Sequence, residues 1–273
     1  MCLILFARAA GADAPLLVAA NRDEFFDRPA APAAFWEQPQ GLLAGRDLSA
    51  GGTWLGVTTS GRFAAITNYR DPSARKTVAP SRGALVVDFL AGDKGAEPYL
   101  RSVALRADQF NGFSMIAGDR MGLYFFSNRE DAVKPVEPGV HGLSNHLLDT
   151  PWPKVEKGKA ALAVMLDREF EPEACFRLLA DNSTAEDDVL PQTGFGPVRE
   201  RQLAAIHVQA GDYGTRCSTL VRIGAGCVEF HERSFGRDGL VTGTVNHRFR
   251  ILPDSTPSQR VESRPPGIPR PAP

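Results

Sequence analysis

What this chain has little of narrows it first. It holds only four cysteines, Cys2, Cys175, Cys217 and Cys227, and no two of them stand in Cys-x-x-Cys spacing. That excludes a zinc finger or ribbon and a c-type haem attachment. The five histidines are scattered, so no metal site is expected. Cys217 and Cys227 lie near enough in sequence for a hairpin disulfide, but free thiols in a reducing cytosol are the better expectation. No apolar run approaches the ~18 residues of a transmembrane helix. The apolar start, Leu3 to Ala7, is short and interrupted by Arg8, which argues against a signal sequence. A cytoplasmic location is therefore expected. Charge of one sign is also missing, with 31 Lys and Arg against 32 Asp and Glu and no basic block. That excludes an electrostatic footprint for nucleic acid or an anionic membrane.

What is present is an ordinary globular composition long enough for a large core. Short apolar runs at Leu3–Ala7 and Pro15–Ala20, separated by Gly11-Ala12-Asp13, predict a hairpin. A second hairpin is predicted from Gly52–Thr58 and Arg62–Thr67, and a third from Phe113–Ala117 and Leu123–Ser127. Helices are predicted over Ser81–Leu90 with Ser81 as N-cap, Ala96–Arg106, Pro153–Asp167 and Glu171–Ala180. Asp181–Pro197 reads as a polar loop. Strands return at Ser218–Ile223, Cys227–Phe235 and Leu240–Ile251. Hairpins outnumber βαβ units, so the expected class is α+β with antiparallel sheets. Residues 1–252 read as one domain. Residues 253–273, rich in Pro, Ser and Arg, read as a disordered tail.

The most informative residue is Cys2. Aminopeptidases remove Met1 when the next side chain is small, which leaves a thiol and a free α-amine on one residue. A terminal amine titrates near pH ~7.7–8.0, so a base stands beside a good nucleophile. The densest polar signal, Asn21-Arg22-Asp23-Glu24, directly follows the apolar strand Leu16–Ala20. The first hairpin brings that tetrad beside Cys2, where Arg22 is able to lower the thiol pKa and a carboxylate such as Asp23 to hold the amine's proton. Amides close other apolar strands: Asn68 in Thr67-Asn68-Tyr69-Arg70 and Asn145 in Leu143-Ser144-Asn145-His146. Such an amide is suited to a developing oxyanion. Arg216 sits among small hydroxylated residues in Gly214-Thr215-Arg216-Cys217. Arg28 and Asp47 read as scaffolding within turns.

These motifs, with Arg28-Pro29, Phe35-Trp36, Ala44-Gly45-Arg46-Asp47, Gly51-Gly52-Thr53-Trp54-Leu55-Gly56, Pro151-Trp152-Pro153-Lys154 and Tyr213-Gly214-Thr215-Arg216, resemble the NRDE family, also called the transport and Golgi organisation 2 family. That family is similar to N-terminal nucleophile hydrolases of the choloylglycine hydrolase type. The resemblance implies a four-layer αββα sandwich and an exposed N-terminal Cys that cleaves linear amides. It implies Cys2 as nucleophile, Asp23 as its orienting carboxylate, Asn68 and Asn145 as oxyanion donors, and Arg216 as the late arginine of the site. Asn21, Arg22, Trp54 and Tyr69 are then the residues facing substrate. The arginine that precedes the motif Asn in those amidases is replaced by Ala20 here.

Two functions follow. The first is a cysteine amidohydrolase acting on a small-molecule amide, with no cofactor. The second is a non-catalytic carrier of haem, lipid or acyl-CoA using the same pocket, with Phe25, Phe26, Phe35, Trp36 and Trp54 as candidate lining. Under it Cys2 or a histidine is the axial haem ligand.

Overall fold

The strand β1 (Cys2–Arg8) buries both of its faces, which is why its sequence is a continuous apolar run. Leu3, Leu5 and Ala7 face helices, while Ile4 and Phe6 face a second sheet. The computed structural model describes residues 2–10, 16–130, 132–166, 169–224 and 226–252. The predicted turn at Gly11-Ala12-Asp13 and the predicted tail lie outside the described residues.

Antiparallel strands follow in chain order: β2 (Leu16–Phe25), β3 (Ala30–Phe35), β4 (Leu42–Asp47), β5 (Leu55–Thr58) and β6 (Phe63–Asn68). After α1 (Gly83–Ala91) and α2 (Ala96–Ala104) come β7 (Phe113–Asp119), β8 (Gly122–Ser127), β9 (Lys134–Pro135) and β10 (Gly139–Leu143). Then α3 (Pro153–Leu166), α4 (Pro172–Leu179) and α5 (Pro197–Leu203) precede β11 (Gln209–Ala210), β12 (Tyr213–Gly224), β13 (Cys227–Phe235) and β14 (Val241–Arg250). One sheet runs β10-β1-β2-β12-β13-β14, with β11 on β12; the other runs β3 through β9 in sequence order. Apolar side chains from both fill the space between them, among them Ile4, Phe6, Val18, Phe63, Phe125 and Phe230. Outside, α1 and α2 cover the second sheet, and α3 and α4 cover the first. This is the α+β class expected from the order of elements, in the four-layer αββα arrangement that the family resemblance implies.

Several boundaries differ, for physical reasons. The first is the tetrad Asn21–Glu24, which lies inside β2 rather than after it. Tyr213, Gly214 and Thr215 of β12 pair with Phe25, Glu24 and Asp23 and extend the strand. The predicted strand at Gly52 starts at Leu55, because Gly52 and Thr53 are held against the start of α1. A Cβ on Gly52 would lie 2.5 Å from the Gly83 carbonyl carbon, and Thr53 N–H donates to Gly83 O. Ser81 is not the cap of α1; the cap position is Arg82, with no side-chain bond. Strands β3 and β4 and helix α5 carry no clear periodicity and escape prediction, and of β10 only its end at Leu143 is predicted. All four cysteines are free thiols.

Candidate active site

A cavity of about 930 Å³ opens at the ends of β1, β2 and β6, and Cys2 lies in its wall with Arg22, Asp23, Trp54, Asn68 and Tyr69. The pairing of β1 with β2 sets the central geometry. Cys2 is directly opposite Arg22, so the two side chains share the face that looks into the second sheet. Arg22 lies 4.3 Å over the Trp54 ring and 3.6 Å from an Asp47 carboxylate oxygen. Trp54 fits there because residue 45 is glycine: a Cβ would lie 2.4 Å from the Trp54 ring. Asp47 also accepts from Arg28 Nε at 2.7 Å and from Ser49 and Ala50 N–H. It fixes the turn that supports Arg22, the scaffolding role expected of Arg28 and Asp47.

Asp23 is 1% exposed. Its Oδ1 accepts from Thr215 Oγ1 at 2.8 Å and its carbonyl from the Tyr213 hydroxyl at 2.8 Å. Burial raises its carboxyl above the usual range, while Lys154 and the Thr215 hydroxyl pull it back down. Burial likewise pushes the Cys2 thiol up, and Arg22 and the Asp23 backbone N–H work in the other direction.

A clasp at Ser144–Asn145 connects the two sheets. Ser144 Oγ donates to the Cys2 carbonyl at 3.1 Å, and Thr67 Oγ1 donates to the Ser144 carbonyl at 2.6 Å. Asn145 Nδ2 donates to the Asn68 carbonyl at 3.0 Å, and Arg70 N–H to the Asn145 carbonyl at 2.7 Å. The end of β6 is thereby set against the start of β1, and Asn68 faces the cavity beside Cys2.

The structure thus brings Cys2, Arg22, Asp23, Trp54, Asn68 and Tyr69 to one cavity. It does not bring Asn21, Asn145 or Arg216 to its wall. Asn21 is buried on the helix side, donating to the Leu179 and Ile206 carbonyls and accepting from Ser218 Oγ. Asn145 is fully buried with its amide N–H on the Asn68 carbonyl. Arg216 occupies the β-bulge between Thr215 and Cys217, where its guanidinium donates to the Phe25, Phe26 and Arg28 carbonyls. Of the aromatic candidates, Phe25 and Trp54 line the cavity, Trp36 is in the core, Phe35 packs on His247 and Phe249 of β14, and Phe26 lies under Arg216 and Arg237 rather than in the cavity wall. No histidine lines the cavity among the described residues.

Other residues of the site had no strong sequence signal. Thr215, which holds Asp23, stands one residue from Arg216 in a motif the sequence does expose, and only the β2–β12 register distinguishes them. Tyr213, Arg82 and Arg199 also line the cavity. The Tyr69 hydroxyl lies 2.6 Å from His146 Nε2, whose Nδ1 lies 2.9 Å from Thr150 Oγ1. Arg70 forms a buried ion pair with Glu200 at 2.6 Å and fixes α5 over the site. Among the described residues no cluster of three His, Cys, Asp or Glu is arranged to hold a metal. No helix there is long and apolar enough to cross a membrane.

The sequence matches the family described as Transport and Golgi organisation 2 over residues 1–237. The Transport and Golgi organization protein 2 homolog of Bos taurus is 39% identical over 275 residues, covering 92% of this chain and 99% of the relative. The Homo sapiens homolog is 36% identical, covering 86% and 93%. Among solved structures, the Caenorhabditis elegans ortholog of N-acylethanolamine-hydrolyzing acid amidase matches with TM-score 0.47 and 10% identity, covering 80% of this chain and 92% of that one. The C2A mutant of conjugated bile acid hydrolase from Clostridium perfringens matches with TM-score 0.48 and 9% identity, covering 93% and 99%.

Proposed function

The chain belongs to the transport and Golgi organisation 2 family, and from the geometry of its cavity we propose that it is a cysteine amidohydrolase of the N-terminal nucleophile type, acting on a linear small-molecule amide. The observation that carries this is the placement of Cys2. The second residue of the chain stands in the wall of a large cavity, across from Arg22 and beside Asp23 and Asn68. A residue serving only as the start of a buried strand has no need of those neighbours.

In this mechanism Met1 is removed and the Cys2 α-amine takes the thiol proton as sulfur attacks the amide carbonyl. The C–S bond forms while the carbonyl pair moves to oxygen, where the Asn68 amide N–H stabilises the oxyanion. The amine then gives its proton to the leaving nitrogen, the C–N bond breaks, and water hydrolyses the thioester. Asp23, held by Thr215, orients the amine. Asn145 acts through Asn68, whose carbonyl it holds, and Arg216 acts through the Phe25–Arg28 turn it supports. Arg22 and Trp54 present a cationic and aromatic wall to substrate, and Tyr69 a hydroxyl.

A carrier role has less support, because it gives no reason for a thiol at position 2 in the same cavity wall as Asp23 and Asn68. The test is turnover of a panel of N-acyl amides by wild type and Cys2→Ala. Turnover abolished in Cys2→Ala supports the hydrolase; a panel cleaved equally by both proteins sinks it.

A further inference from the structure

Helix α3 begins directly beneath the paired ends of β1 and β2. Trp152 and Val155 pack in one cluster with Leu3 and Leu5. Gly158 lets the helix approach closely, since a Cβ there would lie 2.6 Å from Leu5. Lys154, in the first turn, is therefore inside: it is 3% exposed, and among the described residues its ammonium nitrogen has no hydrogen-bond partner. A buried ammonium without such a bond is costly, and an apolar residue of similar size would fill this position more cheaply. Packing alone does not account for a lysine here.

Its electrostatic surroundings do. Because Leu3 pairs with Asn21, Asp23 shares the helix-facing side of the sheet with both. Asp23 is the strongest charge acting on Lys154, and Lys154 the strongest acting on Asp23; Cys2 also acts on Lys154. Around them stand Arg70 and Glu200, which neutralise each other at 2.6 Å, and His207, which burial disfavours in its charged form. Tyr213 and Thr215 donate to Asp23, and Arg22 lies on the other face with Cys2. Burial pulls the Lys154 ammonium down to about 8, with Asp23 opposing, so it is still cationic at neutral pH.

We infer that Lys154 is a positioning residue for the nucleophile: its buried ammonium offsets Asp23 and keeps the α-amine of a mature Cys2 free of its proton, ready to accept the thiol proton. The inference rests on Cys2 being the nucleophile. Continued past Cys2 and Arg22, the antiparallel register places the amine beside Asp23. A carboxylate alone would hold the proton on that amine and block the transfer. With Lys154 opposite, the carboxylate orients the amine while the summed charge stays near zero.

The test is the pH dependence of Cys2 acylation by a β-lactam probe, read by intact mass, in wild type, Lys154→Met, Lys154→Gln and Lys154→Arg. The midpoint should move upward by ~1 pH unit or more in Met and Gln, the low end of what a neighbouring charge does, and return in Arg. An unmoved midpoint in either neutral variant, with Cys2 still acylated, overturns the inference and leaves the hydrolase assignment intact. Failure of wild-type Cys2 to be acylated at all removes both. A ¹³C-cysteine NMR titration of wild type needs no variant. The amine should titrate below the ordinary ~7.7–8.0, and a value at or above that range overturns the role of Lys154.

Discussion

Asn68 and Asn145 look alike in sequence, each an amide closing an apolar strand, yet they stand in different places. Asn68 faces the cavity, and Asn145 spends its N–H on the Asn68 carbonyl. Asn68→Ala is expected to lower acylation of Cys2 ~10²–10³-fold with little change in thermal midpoint, the cost of one oxyanion donor. Asn145→Ala should slow acylation and also destabilise the protein, because it strips a buried hydrogen bond worth ~1–3 kcal/mol. Stopped-flow acylation with parallel urea melts separates the two. Cys2, Asp23 and Asn68 were legible because each combines a chemically loaded side chain with a strand end or terminus. Thr215, Tyr213 and Lys154 were not. A threonine, a tyrosine and a lysine are ordinary surface or packing residues until the register of β2 with β12, and the docking of α3 under β1, bring them to Asp23.

At the scale of elements, turns decide where the site residues point. Gly45 in β4 leaves room for Trp54, which in turn supports Arg22. Gly45→Ala is expected to displace the indole, destabilise by ~1–3 kcal/mol through overpacking and weaken substrate binding, which denaturant melts and KM together will show. The turn after β10 carries the Ser144–Asn145 clasp and is braced by His141 Nδ1 on Asp149 Oδ2 at 2.7 Å and Gly142 N–H on Asp149 Oδ1. The bond to Asp149 holds His141 above its ordinary 6.5. Burial alone would raise Asp149, but His141 and the Gly142 N–H pull it below its ordinary 3.8. The stabilisation is therefore whole between those two values and is lost as pH rises past 6.5 through the raised histidine value, or falls below 3.8. The difference in urea midpoint between wild type and His141→Gln should be largest near about pH 5 and shrink as the pH is raised. A difference that grows with pH would contradict this. Hairpins were readable from Gly-rich turns between alternating strands. The continuation of β2 through Glu24 was not, since it depends on a partner strand almost 200 residues away.

For the molecule as a whole, the site exists only where the two sheets and their helices meet. Asn68 comes from one sheet and Cys2 from the other, and the Arg70–Glu200 pair fastens α5 across the opening. Glu200 also accepts from Thr193 N–H and Oγ1, so Glu200→Ala leaves the Arg70 guanidinium buried without its carboxylate. A loss of ~3–5 kcal/mol is expected in urea denaturation, with faster proteolysis near α5; an unchanged midpoint would show that the pair is incidental. The α+β class was visible in the order of hairpins and helices, while the sandwich itself came from family resemblance, because facing of sheets leaves no local pattern. Whether Cys2 is a processed, reactive N-terminal nucleophile is decided by intact mass after exposure to a thiol-directed acyl probe. The expected species lacks Met1 and carries one acyl group, located at Cys2 and absent in Cys2→Ala. A chain that keeps Met1, or that is acylated equally without Cys2, would contradict it.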